Sequence, residues 1–144
     1  MSRRWNLSEI VSPLPLAAVA LLAINDAWLK PTFHNHLTGK LSDLAGCFVF
    51  PLYLAALLGV LLPALVPRRR LLAGGLATAA LFATLELWPA AAVTFCAVNA
   101  EVARWIGIDR AFRLTSDPTD LLALVMVPVA YLFGVRRASA AATT

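Results

Sequence analysis

Four long apolar stretches alternate with short polar segments along the chain. They cover residues 13–30, 43–66, 71–88 and 118–135, with ends placed to within a few residues. Each approaches the ~20 residues that a helix needs to cross the hydrocarbon core of a bilayer. The prolines and glycines of the second stretch are compatible with a membrane helix, because neighbouring groups satisfy the freed backbone. The pattern therefore predicts an all-α, polytopic membrane protein with four transmembrane helices.

The first and last stretches carry recognisable start signals. Ser12 precedes Pro13, and Asp117 precedes Pro118. A short polar residue followed by proline at the first helical position is typical of helix N-termini. Asp120 follows three residues after Asp117, where the positive end of the helix dipole favours a carboxylate. We therefore expect helices to begin at Pro13 and Pro118.

The segment between the third and fourth stretches is less uniform. It is apolar over residues 90–98, but Asn99, Glu101 and Arg104 follow within a few positions. We interpret residues 90–106 as an additional interfacial or re-entrant helix on the outer side of the membrane. A fifth span is disfavoured, because it would export the C-terminal pair of arginines.

Composition narrows the class of protein further. Of the 144 residues, 60% are hydrophobic and 14% are charged, against roughly 45–50% apolar and about 25% charged in soluble globular proteins. Disordered chains are polar and highly charged, so disorder is excluded. Cys47 and Cys96 lack the spacing of a disulfide framework. We expect a single membrane domain over residues 1–144.

Basic residues are divided unevenly between the two ends of the predicted spans. With four spans, the N-terminus, the loop between spans two and three and the C-terminus share one side, which carries seven of the twelve basic residues. The positive-inside rule then places both termini in the cytoplasm. Because these arginines are split among three short segments, they indicate contact with lipid head groups, and nucleic acid is not an expected partner.

Glu86 is the charged residue whose position is least explained by its neighbours in the sequence. It lies near the C-terminal end of the third stretch, where the helix dipole disfavours an anion. No basic residue stands three or four positions away. Its counter-charge would come from Lys40, Arg110 or Arg113. We therefore take Glu86 as the candidate catalytic residue, a general base or hydrogen-bond acceptor, with a purely structural ion pair as the alternative.

The remaining candidate site residues lie at the same, outer ends of the predicted helices. We expect them to form a polar pocket in which the bases hold a phosphate. Some of the acids have an alternative role in capping helix starts, and Asp26 stands four residues before Lys30, the favourable order for a helical ion pair. The candidate ligand-binding residues are Asp26, Lys30, Lys40, Asp43, Arg110, Arg113, Asp117 and Asp120.

Other chemistries receive little support from the sequence. His34 and His36 are ligand types for a divalent metal, but the pattern is weak and no metal site is predicted. Gly39-Lys40 lacks the upstream glycine and the strand of a phosphate loop, although the two residues fit a turn before a helix capped by Ser42. Neither cysteine has a base beside it in the sequence. No cofactor is expected.

Three blocks carry a resemblance to known proteins. They are Asn25-Asp26-x-x-Leu29-Lys30, Thr38-Gly39-Lys40-Leu41-Ser42-Asp43-x-Ala45-Gly46 and Asp117-Pro118-Thr119-Asp120-Leu121-Leu122-Ala123-Leu124. The chain resembles small bacterial membrane proteins and, more loosely, the VanZ-like family, in which Ser42-Asp43, Glu86, Arg113 and Asp120 match motif positions. Lys40 precedes the Ser-Asp pair, whereas the family's lysine follows it. The resemblance implies a bacterial inner membrane and functions in the cell envelope, including glycopeptide-antibiotic resistance.

Three functions are compatible with this reading of the sequence. The first is a membrane protein whose outward-facing polar cluster binds or processes a lipid or a lipid-linked envelope precursor. The second is a non-catalytic scaffold or assembly partner. The third is a small transporter, which is disfavoured because the cytoplasmic halves of the spans hold no ionisable residue. Membrane lipids are the expected partners, and the sequence is compatible with an oligomer.

Overall fold

A computed structural model describes residues 12–29, 32, 36–108, 114 and 117–141. All the regular secondary structure in these residues is helical, which confirms the predicted class for this part of the chain. The five α-helices are α1 (Pro13–Ile24), α2 (His36–Leu61), α3 (Pro67–Leu87), α4 (Pro89–Trp105) and α5 (Met126–Ala141). A π-helical turn, Asn25–Leu29, continues α1, and a 3-10 helix, Pro118–Val125, leads directly into α5.

Three segments are long and apolar enough to cross a membrane: Thr38–Leu61, Pro67–Leu87 and Pro118–Ala140. They correspond to the second, third and fourth predicted spans. Helix α1 has 12 residues, about 18 Å at 1.5 Å per residue, which is less than the ~30 Å of a hydrocarbon core. The first predicted span is therefore a shorter apolar helix, and a count of four spans stays a prediction. Helix α4 occupies the predicted extra segment, and its placement in a membrane also stays a prediction.

Two predicted boundaries are corrected by the structure. Helix α2 begins at His36, seven residues before the predicted start of its span. The predicted turn at residues 38–40 is therefore wrong, because these polar residues belong to the first turns of α2 and Thr38 is buried. Helix α3 likewise begins at Pro67, four residues early, since proline is well suited to the first helical position.

The start signals of α1 and of the last helical segment are found where they were predicted. Ser12 precedes α1 with an extended backbone, although its side chain makes no capping hydrogen bond. Pro118 begins the 3-10 helix. Asp117, directly before it, accepts the backbone N–H of Thr119 through Oδ1 at 2.9 Å. The side chain of Asp117 therefore satisfies one of the donors that a helix start leaves without an intrahelical partner.

Two compact units divide the described residues. One, called unit 1, contains those within Met1–Ala79 and Ala123–Thr144, and the other, called unit 2, contains those within Ala80–Leu122. The first part of α3 and the whole of α5 belong to unit 1. The end of α3, all of α4 and the first residues of the 3-10 helix belong to unit 2.

The core of unit 1 lies where α2, α3 and α5 meet. Leu52 from α2, Leu71 from α3 and Ala130 from α5 are each at most 1% exposed. The ring of Phe48 packs edge-on against that of Phe133, with centroids 5.7 Å apart. These contacts tie α2, α3 and α5 together over a small, apolar centre.

Large apolar side chains also cover the outside of the helices. Leu76 is 63% exposed, Leu132 is 54% exposed and Val93 is 70% exposed. Soluble monomers rarely present extended apolar patches to water. Lipid chains are as apolar as these side chains, so their exposure supports a membrane environment.

The backbones of α2 and α3 come close together at Gly74. A Cβ atom added to Gly74 would lie 2.5 Å from the carbonyl oxygen of Pro51 and 3.1 Å from the nitrogen of Ala55. Both atoms belong to the backbone of α2, so neither can move aside as the end of a side chain would. Small residues at such positions let membrane helices associate by van der Waals contact.

We expect Gly74→Ala to destabilise the protein and Gly46→Ala to leave it as stable or more stable. The first substitution forces apart two helix backbones, an overpacking cost of about 1–3 kcal/mol. The second has nothing within 4 Å of the added Cβ and gains helix propensity, up to about 1 kcal/mol. Thermal unfolding of the full chain in detergent, followed by circular dichroism, measures both. Equal stability of the two variants would contradict the close approach at Gly74.

Candidate functional site

A buried asparagine joins the end of α1 to the start of α2 in unit 1. Asn25 has no exposed surface. Its Nδ2 donates to the carbonyl oxygen of Thr38 and to Oγ of Ser42, both at 2.6 Å. Because a carbonyl oxygen can only accept, the amide orientation of Asn25 is fixed. We call Asn25, Thr38 and Ser42 the asparagine clasp.

Local backbone geometry places Asn25 in the clasp. The asparagine is the first residue of the π-helical turn, which replaces the last turn of an ordinary α-helix. Such wider turns are rare and are frequently found at functional sites. Thr38 and Ser42 stand four residues apart on α2, so one face of that helix presents both acceptors to the same amide.

One acceptor in the clasp, Oδ1 of Asn25, is buried and has no hydrogen-bond partner among the described residues. An unsatisfied buried polar group costs about 1–3 kcal/mol. The clasp can therefore accept one more hydrogen bond, for example from a hydroxyl or an amine.

An apolar groove of about 410 Å³ adjoins the asparagine clasp. Leu21, one turn before Asn25, lines it, as do Leu41 and Ala45 on either side of Ser42. Its volume falls in the range of about 300–1,000 Å³ typical of ligand sites. All ten lining residues are apolar: Leu14, Ala17, Ala18, Leu21, Leu41, Leu44, Ala45, Phe48, Met126 and Val129. The groove therefore has apolar walls, and the asparagine clasp lies beside its lining residues in the chain, within unit 1.

Two of the predicted ligand-binding residues lie beside the clasp on α2. Lys40 and Asp43 are half-buried in the first turns of the helix. Their spacing of three residues places them on neighbouring positions of one helix face. Both residues take part in interactions within the protein. The structure thus brings a cation and an anion to the end of α2 that holds Ser42.

Several predicted site residues lie outside the described part of the chain. Lys30, Arg110 and Arg113 do so entirely, and so does His34. Asp26 belongs to the π-helical turn and His36 begins α2, but their side chains also lie outside it. Among the described residues, no group of three His, Cys, Asp or Glu side chains is placed to hold a metal ion.

Glu86, in unit 2, contacts the start of the last helical segment. It lies in the last turn of α3 and is 6% exposed. Its Oε2 accepts the backbone N–H of Asp117 at 2.8 Å. That N–H directly precedes the 3-10 helix at Pro118, where the positive end of the helix dipole favours a carboxylate. Glu86 therefore fixes a chain segment 31 residues further on.

The hydrogen bond of Glu86 to the backbone of Asp117 was not predicted from the sequence. No spacing rule within α3 could have revealed it, because Asp117 is far away in sequence. The cationic partner expected for Glu86 stays a prediction, because Arg110 and Arg113 lie outside the described residues. Asp120, in the first turn of the same 3-10 helix, is half-buried. Glu86, Asp117 and Asp120 therefore gather at one helix start.

A separate polar group occupies the end of α4. Glu101 forms an ion pair with Arg104 and accepts the indole N–H of Trp105 at 3.2 Å. The two charged side chains are 51% and 61% exposed, so the pair contributes little to stability. Tryptophan and charged residues at one end of an apolar helix are typical of a membrane interface.

Comparison with protein-family models, curated proteins and solved structures finds no match to this chain. The candidate function therefore rests on the asparagine clasp, the apolar groove and the contact of Glu86. The VanZ-like resemblance stays a hypothesis.

Replacement of Glu86 tests whether the carboxylate positions the last helix. We expect Glu86→Ala to lower the free energy of unfolding by about 1.5–3 kcal/mol, the usual contribution of a hydrogen bond to a charged group. The amide proton of Asp117 should then exchange faster with solvent. Glu86→Gln retains an acceptor oxygen and should recover part of the loss. Unfolding and hydrogen exchange in detergent measure these effects.

Glu101→Ala is the matched control for that experiment. Glu101 is an acid in the same unit, but it is exposed and its ion pair is local. We expect a change of less than about 0.5 kcal/mol. Slow exchange at Asp117 in Glu86→Ala would contradict the positioning role.

Proposed function

We propose that the chain is an integral membrane protein that binds a lipid or a lipid-linked envelope component. The apolar chain of the ligand occupies the groove, and its head group lies at the asparagine clasp. The observation that carries the proposal is that the two features share the same turns of α2: Ser42 of the clasp follows Leu41 in the chain and precedes Ala45, and both of these line the groove. Lipids combine an apolar chain with a polar head, and unit 1 places an apolar groove and a polar cluster on neighbouring residues.

The length of the groove suits an apolar chain. Its lining on α1 extends from Leu14 to Leu21, about 10 Å along the helix axis. Phe48 and Leu41 mark a similar length on α2. With no polar side chain in the lining, the groove offers nothing to bind a polar molecule along this length.

Lys40 and the asparagine clasp supply groups that recognise a phosphate and a hydroxyl. Lys40 carries the positive charge that a phosphate requires. Oδ1 of Asn25 accepts a hydrogen bond from a hydroxyl or an amine. We propose that Lys30 adds to the positive charge and that the acids Asp26 and Asp43 orient the bases. This assigns the site in unit 1 to binding. In unit 2, Glu86 is a positioning residue for the start of the last helical segment.

We further propose that the protein lies in a bacterial inner membrane with both termini in the cytoplasm. The uneven distribution of arginines supports this orientation. In this arrangement α1, the π-helical turn and their flanking residues form a first span, giving four in total. The extra helix α4 then lies at the outer surface, and the VanZ-like resemblance is consistent with a role in the cell envelope.

A scaffold or assembly partner is the second candidate. The contact between Glu86 and Asp117 favours it, because this buried carboxylate already stabilises a helix start. On that hypothesis the asparagine clasp serves to orient helices, and the groove is filled by bulk lipid without selectivity. The two candidates therefore differ in whether unit 1 binds one lipid class in preference to another.

Filling the groove tests the lipid-binding proposal. Ala17 lines the groove and is exposed, whereas Ala23 is exposed on the same helix but does not line it. We expect Ala17→Phe to weaken binding of a polyprenyl phosphate by at least about tenfold, equivalent to about 1.4 kcal/mol. Ala23→Phe should bind as the natural chain does. Native mass spectrometry of the detergent-purified full chain, titrated with polyprenyl phosphate or phosphatidylcholine, measures both.

The same titration also tests recognition of the lipid head group. Lys40→Gln should weaken binding of the anionic polyprenyl phosphate while leaving the zwitterionic phosphatidylcholine unaffected. Equal binding by Ala17→Phe, Ala23→Phe and the natural chain would contradict a ligand in the groove and favour the scaffold.

Cysteine labelling tests the proposed orientation and the number of spans. In a background with Cys47 and Cys96 replaced by alanine, Arg69→Cys should react only from the cytoplasmic side. Trp88→Cys should react only from the outside, because α3 separates the two positions by about 29 Å. Ser2→Cys should behave as Arg69→Cys if α1 belongs to a span. Labelling of Ser2→Cys from the outside would leave three spans.

A further inference from the structure

A second concave feature of unit 1 lies between the start of α3 and the end of α5. It is a cleft of about 290 Å³. We call it the arginine cleft, and its lining residues are Val66, Pro67, Arg68, Val135, Ala138 and Ser139. The arginine cleft is far from the asparagine clasp. Gly59 of α2 contacts Arg70, which is close in the chain to the cleft residue Arg68. Gly59 is about 25 Å along α2 from Ser42 of the clasp.

Five arginines of unit 1 surround the arginine cleft or follow its lining residues in the chain. Three of them, Arg68 to Arg70, occupy the first turn of α3, and Arg136 and Arg137 stand between Val135 and Ala138 on α5. Four of the five are exposed, and Arg70 is half-buried. None of them pairs with a carboxylate of the described residues. Residues 62–73 and 126–144 contain no aspartate or glutamate.

The position of the arginines on α3 increases the positive potential further. The first turn of a helix carries the positive end of its dipole, where cations are disfavoured and anions are stabilised. Three cations at this point therefore have no compensation within their own helix, and a bound anion would supply it.

We infer that the arginine cleft binds the phosphate of an anionic membrane phospholipid. Arg68 lines the cleft and supplies the charge, and its neighbours on both helices add to the attraction. The rest of the lining is mainly apolar, with Val66, Pro67, Val135 and Ala138 available to contact the lipid chains. Basic pockets between membrane helices are suited to anionic head groups. This inference is independent of the groove and of the proposed function.

Binding of phosphatidylglycerol to the full chain tests the inference. We expect detergent-purified protein to retain phosphatidylglycerol in preference to phosphatidylcholine in native mass spectrometry. Arg68→Gln should weaken that binding about fivefold, the effect of one basic residue near an anionic surface. Arg104→Gln is the matched control, because it removes one exposed arginine outside the cleft, and it should have no effect.

A variant that fills the cleft distinguishes binding inside the cleft from general attraction of an anionic lipid to the arginines. Ala138→Leu fills the cleft and keeps every arginine, so binding should fall at least about fivefold with helix content unchanged. Equal weakening by Arg68→Gln and Arg104→Gln, or full binding by Ala138→Leu, would overturn the assignment.

Two further results, obtained with the natural chain, keep the test independent of the variants. Higher salt should weaken binding of phosphatidylglycerol, because the interaction is electrostatic. Excess inorganic phosphate should not displace the phospholipid, since the apolar walls also hold its chains. Complete displacement, or equal retention of phosphatidylcholine, would overturn the assignment.

Discussion

The contact between the backbones of α2 and α3 at Gly74 is the constraint on which the packing of unit 1 depends. In a membrane, apolar side chains gain little by leaving lipid for the protein interior, so helices associate through close van der Waals contact. Gly74 permits that contact because a methyl group there would meet the backbone of Pro51. The buried cluster that contains Leu52 and Leu71 involves the same two helices. Large apolar side chains on the outer faces of the helices, such as Leu76 and Leu132, are exposed instead.

Two buried polar side chains connect distant parts of the chain. Asn25 ties the end of one helix to the start of another, and Glu86 holds the beginning of the last helical segment. Both are almost completely buried. Asn25 donates to a carbonyl oxygen and a hydroxyl, and Glu86 accepts a backbone N–H, so each joins segments that are distant in the sequence. Among the described residues, Oδ1 of Asn25 has no donor, and this acceptor motivates the assignment of a head group.

The sequence predicted the type and approximate place of the elements better than their ends or contacts. Long apolar stretches predicted the helices α2 and α3, and Pro118 predicted a helix start. The early start of α2 was missed because the polar residues of its first turns resemble a loop. Their burial depends on Asn25, which is 13 and 17 residues away from its partners in the sequence. The contact of Glu86 with the backbone N–H of Asp117 was missed for the same reason, since helical spacing reveals only neighbours within a turn or so.

Gly59 leaves space that the side chain of Arg70 occupies. The guanidinium of Arg70 lies directly over Gly59, in the space that any side chain at residue 59 would fill. There the cation faces the last turn of α2, where the negative end of the helix dipole favours it. The guanidinium is the end of a flexible side chain, so a larger residue at position 59 would displace it with little steric cost, in contrast to the backbone contact at Gly74. Gly59 therefore serves to let a cation reach the C-terminal end of a helix.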